Sequence, residues 1–418
     1  MKKYTNVFLI FLLCVLILIL VSCGRTNKTG DNTVRVEDIK NKTMNMSEVI
    51  FKEKEDNQAY FNIYSHPAAV GEHGYYYMFR AGYDKLLTHI DVETGECIPV
   101  CNQPQCSHDN TKCPAVFEGY IDEMYCYDGK LYFIKYSNEG KAILVQTKID
   151  GTDRKELFEI GSAPEDKVRL YNLAFYDNYV YIYSSSGNCT HTFDGSMQIS
   201  IRKRSLDGKE DTKIITSDEE NSIFDALKVY GGNLFFVYTH TAFNKETRKN
   251  ETTSEGLFCY NSYTGKVGKI IDKRISDCTV DEENRVLYYY VINEGLYKYE
   301  FDTGVDKLIY KADRNTALCQ VSYDGKYIYL DNGRWYIFTR DNDLSAKIWV
   351  LDSDGKELNV IDNAGISPSY FGDSESLFSE YGALLGNRVD LDEKDTGVRY
   401  ILKSDITTAK DWKKVMWR

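Results

Sequence analysis

A repeat constrains this chain more than any other feature. From residue 70 onward a turn followed by an aromatic strand recurs. Its copies are HGYYYMF at 73–79, YDGKLYFI at 127–134, YDNYVYIY at 176–183, YGGNLFFVY at 230–238, ENRVLYYYV at 283–291 and YDGKYIYL at 323–330. EYGALLGN at 380–387 is a weaker one. Downstream of each copy comes a second strand closed by a tight turn. Three of these turns carry Asp-Gly (KIDGTDRKEL, SLDGKEDTKI, DSDGKELNVI) and three carry Thr-Gly (DVETGECIPV, NSYTGKVGKI, FDTGVDKLIY). The last, SDITTAKDWKKV at 404–415, lacks the glycine. Glycine reaches positive φ at little steric cost, and Asp-Gly between alternating strands is a strong hairpin signal. The turn glycines Gly95, Gly151, Gly208, Gly265, Gly304 and Gly355 recur at intervals of 39 to 57 residues. That interval suits a four-stranded propeller blade with loop insertions. The expectation is an all-β chain: a single β-propeller over residues 57–418, with seven four-stranded blades. Six or eight blades fit as well, because the end copies are degenerate. A β-sandwich array or a β-solenoid is the alternative.

Composition agrees with strands. The 34 Tyr and only 6 Pro favour pleated, half-buried surfaces, and 43% hydrophobic residues supply a core. The chain holds 51 Lys+Arg against 63 Asp+Glu, a net charge of −12. A nucleic-acid binder needs the opposite balance, so no nucleic-acid partner is expected.

The first 23 residues, MKKYTNVFLIFLLCVLILILVSC, join two lysines to an apolar run short for a membrane span. Leu20-Val21-Ser22-Cys23 followed by Gly24 resembles the lipobox of bacterial lipoproteins. The resemblance implies a signal peptide at 1–22 and a diacylated Cys23, which would anchor the chain in the cell membrane on its extracytoplasmic face. Residues 23–56 are then the lipidated cysteine and a flexible tether, polar and poor in aromatics.

Four of the 11 cysteines fall close together, at Cys97, Cys101, Cys106 and Cys113, with His108 two residues past Cys106. Clustered cysteines in an exported protein are commonly disulfides, and two bridges among these four could fasten a long connection. Cys101, Cys106, His108 and Cys113 also offer three thiolates and an imidazole, a set suited to a structural tetrahedral Zn²⁺. Both readings stand on the spacing. The isolated Cys126, Cys189, Cys259, Cys278 and Cys319 read as small buried hydrophobes.

Taken together, the lipobox, the YDGKLYF-type repeat and the segment VCNQPQCSHDNTKCPA resemble surface lipoproteins of Clostridia and related Firmicutes. The repeats of that group are similar to TolB-like and related propeller domains of unknown function. The resemblance covers nearly all of the mature chain and implies a propeller on the cell surface. In that group the recurring part of the cysteine segment is three Cys plus the His, without Cys97. No catalytic residue comes with the resemblance.

Enzymatic signatures such as G-x-S-x-G, H-E-x-x-H, a P-loop or G-x-G-x-x-G do not occur. The expected function is a non-enzymatic binding module for an envelope glycan, peptide or protein, acting as a monomer. Its contacts would come from the cysteine segment and from the long stretches 184–198, 239–256, 332–347 and 387–397. All of these are expected on one end of the blades. A polysaccharide hydrolase or lyase, with a carboxylate pair such as Asp373 and Glu375, and a purely structural scaffold of a membrane complex are the alternatives.

Overall fold

The computed structural model describes residues 33–51, 68–71, 74–81, 84–162, 167–188, 198–219, 222–244, 249–333, 345–362, 369–371, 375–380 and 395–418. Cys23, Cys189, His191, Asp373 and the stretch 387–394 lie outside them. Among the described residues nearly all regular structure is strand, and no helix is long and apolar enough to cross a membrane.

The strands form consecutive four-stranded antiparallel meanders. The first sheet is Ala68–Gly71, Gly74–Ala81, Asp84–Asp91 and Glu96–Pro99. The second is Tyr120–Tyr127, Lys130–Tyr136, Lys141–Lys148 and Lys155–Ser162. The third is Lys167–Tyr176, Tyr179–Asn188, Gln198–Ser205 and Asp211–Ser217. Ser222–Tyr230, Asn233–Asn244, Lys249–Asn261 and Val267–Ile271 make the fourth. Ile275–Asp281, Val286–Val291, Gly295–Glu300 and Asp306–Lys311 make the fifth. The sixth is Gln320–Tyr323, Ile328–Asp331, Lys347–Leu351 and Glu357–Asp362, and the last is Ser369–Phe371, Ser376–Glu380, Asp395–Leu402 and Lys413–Trp417. The last strand pairs in parallel with the first sheet, Met416 opposite Glu96 and Trp417 opposite Cys97.

The aromatic repeat forms the second strand of each of the first six sheets, and its alternation explains the tyrosines. Tyr288 and Tyr290 enter the apolar layer shared with the sixth sheet, beside Val321, Leu330 and Leu351. Tyr289 between them points the other way, into the layer shared with Phe235, Val237 and Leu257 of the fourth. Tyr76 and Met78 likewise face the second sheet, and Tyr75 and Tyr77 face the last. Each sheet is thus apolar on both sides and packs between two neighbours.

The turn glycines fit this stacking. Gly151 has φ +77°, and a Cβ there would stand 2.5 Å from the carbonyl oxygen of Pro114, ahead of the second sheet. Gly355 repeats the arrangement, with φ +84° and the carbonyl of Ile309 in the preceding sheet at 2.3 Å. Here glycine serves both the turn and the close approach of the next backbone.

The weak last copy of the repeat, at 380–387, lies outside the described residues beyond Glu380; the second strand described in the last sheet is Ser376–Glu380. Two expectations are corrected. The described parts of the stretch 239–256 are strand and not loop: past a register shift after Tyr238, Asn233–Asn244 and Lys249–Asn261 pair out to Asn244 opposite Lys249. Alternating β-branched threonines there suit a strand, and polarity alone does not mark a loop.

The compact body also begins well before residue 57. Val34 and Arg35 pair in parallel with Ile215 and Thr216, and Thr43 bridges Lys269, so residues 33–51 lie along the third to fifth sheets as a strap. Val36 and Val49 are buried in two successive inter-sheet layers. Arg35 pairs with Asp218 at 2.9 Å, and Lys40 pairs with Glu219. The side-chain amides of the buried Asn233 and Asn261 both donate to the carbonyl of Ile50, at 3.0 and 3.3 Å. A composition test misses such a segment because exposed strand edges bind backbone and require little hydrophobic pattern.

The far end of the strap makes a pH-dependent contact. Phe51 and the carboxyl of Glu282 pack on Gly231. Burial raises the Glu282 carboxyl to about 7, against which the Gly231 amide works only in part. The folded chain therefore keeps a proton between pH 4.5 and 7 that the unfolded chain has lost. Stability from this group is full below pH 4.5, declines as pH rises to 7 and stays level above. Glu282→Gln is expected to remove that decline, making the variant about 1–2 kcal/mol more stable relative to the parent at pH 8 than at pH 5, with solvent screening discounted. Urea midpoints of both proteins at the two pH values measure it; parallel midpoints would refute the assignment.

Candidate metal centre

The cysteine segment leaves the outer edge of the first sheet part-way and comes back to it. Pro99 pairs with Thr88, and the short strand Val116–Phe117 rejoins the same edge opposite Leu86 and Lys85. Leu87 holds both ends of the excursion: its carbonyl accepts from the Val100 amide at 2.9 Å and its amide donates to Ala115 at 2.8 Å. Residues 101–114 thus form a loop with a pinched base. It stands on the strand Asp84–Asp91 of the first sheet, with Pro114 against the Gly151 turn of the second.

Inside the loop the backbone bends sharply. Gln105 and His108 adopt φ of 60° and 54°, and Asn110 caps the next turn by accepting from the Lys112 amide at 3.1 Å. These bends bring together the residues that the spacing singled out. One ligand atom each from Cys101, Cys106, His108 and Cys113 lies within 4.8 Å of the others. His108 Nδ1 is 3.2 Å from Cys113 Sγ. A tetrahedral zinc with Zn–S bonds near 2.3 Å needs ligand separations of roughly 3.7 Å, so the cluster matches that size with small adjustment.

The surroundings favour thiolates on one side and burial on the other. The Gln103 amide donates to Cys101 Sγ at 3.4 Å. The backbone N–H of His108 lowers the Cys106 thiol against the opposing effect of burial, and its neighbours Cys113 and Cys101 lower it further. Burial pushes the Cys113 thiol up to about 12, and the adjacent sulfurs add to it. Cys113 also packs with Ala115 and Val116 in a small apolar cluster that Leu86 supports from the sheet. The arrangement is a Cys₃His cluster able to hold a metal such as zinc.

Cys97 does not join this group. It lies in the strand Glu96–Pro99, fully buried in the layer between the last and first sheets, with its thiol raised to about 11 by burial. The eight described cysteines are all free thiols, and Cys259, Cys278 and Cys319 are buried as expected of small hydrophobes. Asp395, at the start of the strand Asp395–Leu402, is buried in a bidentate pair with Arg399 at 2.7 and 2.9 Å.

One polar constellation escaped sequence reasoning. Ser222 Oγ lies 3.2 Å from His240 Nδ1, and Glu219 lies 4.0 Å from the same nitrogen. A hydrolytic relay needs the serine and the carboxylate on opposite ring nitrogens, and an accessible nucleophile. Ser222 is fully buried and also bonds Tyr238, which in turn bonds Ser217 and Glu219. Since Glu219 pairs with Lys40, the group serves to seat the strap. Its members come from three separated stretches, so no local motif marks it.

No protein-family model matches the chain, and no curated protein matches it. Solved structures do. A chain from a structural and mechanistic study of two prolyl endopeptidases aligns with a TM-score of 0.52 at 11% identity, over 86% of this chain and 50% of that one. The likeness is one of fold, and it is β-propeller-like. This chain spans half the length of that protein. Sqt1 of Saccharomyces cerevisiae aligns at TM-score 0.38 and 10% identity, over 83% of this chain and 96% of that one. The computationally designed Ika8 protein aligns at 0.35 and 9%, over 72% and 90%.

Proposed function

We propose that this chain is a lipid-anchored surface protein, tethered through Cys23, whose sheets are the seven blades of one β-propeller. The propeller acts as a non-enzymatic binding module for a glycan, peptide or protein of the cell envelope, and a structural zinc sits at Cys101, Cys106, His108 and Cys113. Closure is supported by the apolar layers: each consecutive pair of sheets shares one, and Tyr75, Tyr77 and Ile90 of the first share another with Phe378, Val398 and Tyr400 of the last. The lipobox supports the anchor.

The observation that carries the binding role is the hairpin of the fourth sheet. Its first strand pairs with it only as far as His240, and its fourth strand only as far as Leu257. Beyond those points the pairs Thr241–Thr252, Ala242–Glu251, Phe243–Asn250 and Asn244–Lys249 form a two-stranded ribbon with no flanking strand among the described residues. A two-stranded ribbon is marginal in water by itself, and one that extends a sheet of a rigid body is well suited to recognition. Replacing residues 241–252 by an Asn-Gly turn is expected to leave the melting temperature unchanged. Retention of the protein on isolated envelope material should weaken about tenfold or more, a loss of at least one step of 1.4 kcal/mol. Full retention by the shortened protein would rule the ribbon out as the contact.

A further inference from the structure

The metal loop is held from a second direction. Arg154, on the turn before the last strand of the second sheet, donates from Nη2 to the carbonyl of Pro114, the residue after Cys113. Its Nε donates to Gly151 at 3.4 Å, and its guanidinium lies 3.5 Å over the ring of Phe117, in the strand that closes the loop. Gly151, on the same turn, lets the Pro114 carbonyl come within the space a Cβ would occupy. Three thiolates and a neutral imidazole around Zn²⁺ leave one net negative charge. The acidic Asp109 beside Cys106 adds to that charge. A cation at the junction offsets it, and a planar guanidinium can stack and donate at the same time.

We infer that Arg154 is a positioning residue of the Cys₃His site, holding from the second sheet both the loop backbone and the negative charge that zinc ligation leaves there. Metal binding then fastens the first sheet to the second. The inference rests on zinc occupying the cluster, and the test separates the two. Zinc is titrated into the apo full-length protein in competition with a chromophoric chelator, and Co²⁺ absorption reports the ligand set.

Arg154→Ala and Arg154→Gln are expected to weaken zinc about tenfold or more while keeping one ion per chain and the thiolate-cobalt bands. Arg154→Lys, which keeps the charge, should recover most of the loss. Gly151→Ala, which leaves all charges in place but displaces the Pro114 carbonyl, should also weaken zinc. Unchanged affinity in Arg154→Ala overturns the inference and leaves the zinc site standing. So does a wild-type affinity in Arg154→Gln beside a loss in Arg154→Lys, which would assign the hold to the hydrogen bond and not the charge. A parent protein that takes up no zinc overturns the site itself and this inference with it.

Discussion

One zinc ion per chain is the expected result of native mass spectrometry on the protein purified without reductant or chelator. Three sulfurs and an imidazole nitrogen lie within 4.8 Å of one another, the sulfurs of Cys101, Cys106 and Cys113 meeting at a small apolar cluster with Ala115 and Val116. A zinc ion would also account for the imidazole among them, because each ligand then bonds the same centre. Cys113→Ser and His108→Ala are expected to drop the metal content from about one equivalent to near zero, since structural sites use all four ligands. Cys113 is the more telling position. Burial holds its thiol well above the ordinary range, so zinc has to displace its proton, and uptake should release protons and weaken as pH falls. A mass lowered by two hydrogens per bridge, with no metal, would instead make the segment a disulfide staple.

The second large effect is expected where the first strands of the fourth, fifth and sixth sheets meet. Lys228 Nζ donates to Asp277 at 2.8 Å, to the Cys278 carbonyl at 2.7 Å and to the Val321 carbonyl at 3.2 Å. Asp277 accepts in return from the amides of Cys278 and Val321, at 2.8 and 3.0 Å. Both side chains are almost fully buried, and three consecutive sheets contribute. Each partner sits where a strand loses register, after Asp225 in one and after Ile275 in the other, and Ala226 takes φ of 55° to make the first bulge. Bulges re-aim side chains, here toward each other. Lys228→Ala leaves a buried carboxylate without its cation, which costs about 3–5 kcal/mol. The double change Lys228→Met with Asp277→Asn should recover much of that, because the charge to be compensated is gone. Urea unfolding decides it: a single variant within 1 kcal/mol of the parent would show that the pair is not the lock its geometry implies.

These cases show what could be read from the chain in one dimension. The tyrosine strands were legible because alternation is local, and all six expected turn glycines have positive φ. Cys101, Cys106, His108 and Cys113 were legible because metal-ligand chemistry is confined to few residue types. How the loop is seated was not. It depends on the excursion rejoining the edge it left, a fact carried by the backbone of Leu87 and by no motif. The strap was missed for a related reason. Val36 and Val49 are isolated in a polar stretch, and only the unpaired edges of distant strands make them core residues. Lys228 and Asp277 are 49 positions apart, and two bulges must form before they face each other.

The pairing of Met416 and Trp417 with Glu96 and Cys97 bears on how the body comes apart and together. An open stack of repeats frays from its ends, one unit at a time. Here the two ends share a sheet, so neither is a place to begin unravelling. Assembly meets the complementary demand. The final pairing spans more than 300 residues of sequence, and the entropy of closing so long a loop must be overcome before any of its contacts help. Folding of the whole is therefore expected to be slow to complete and, once complete, reluctant to reverse.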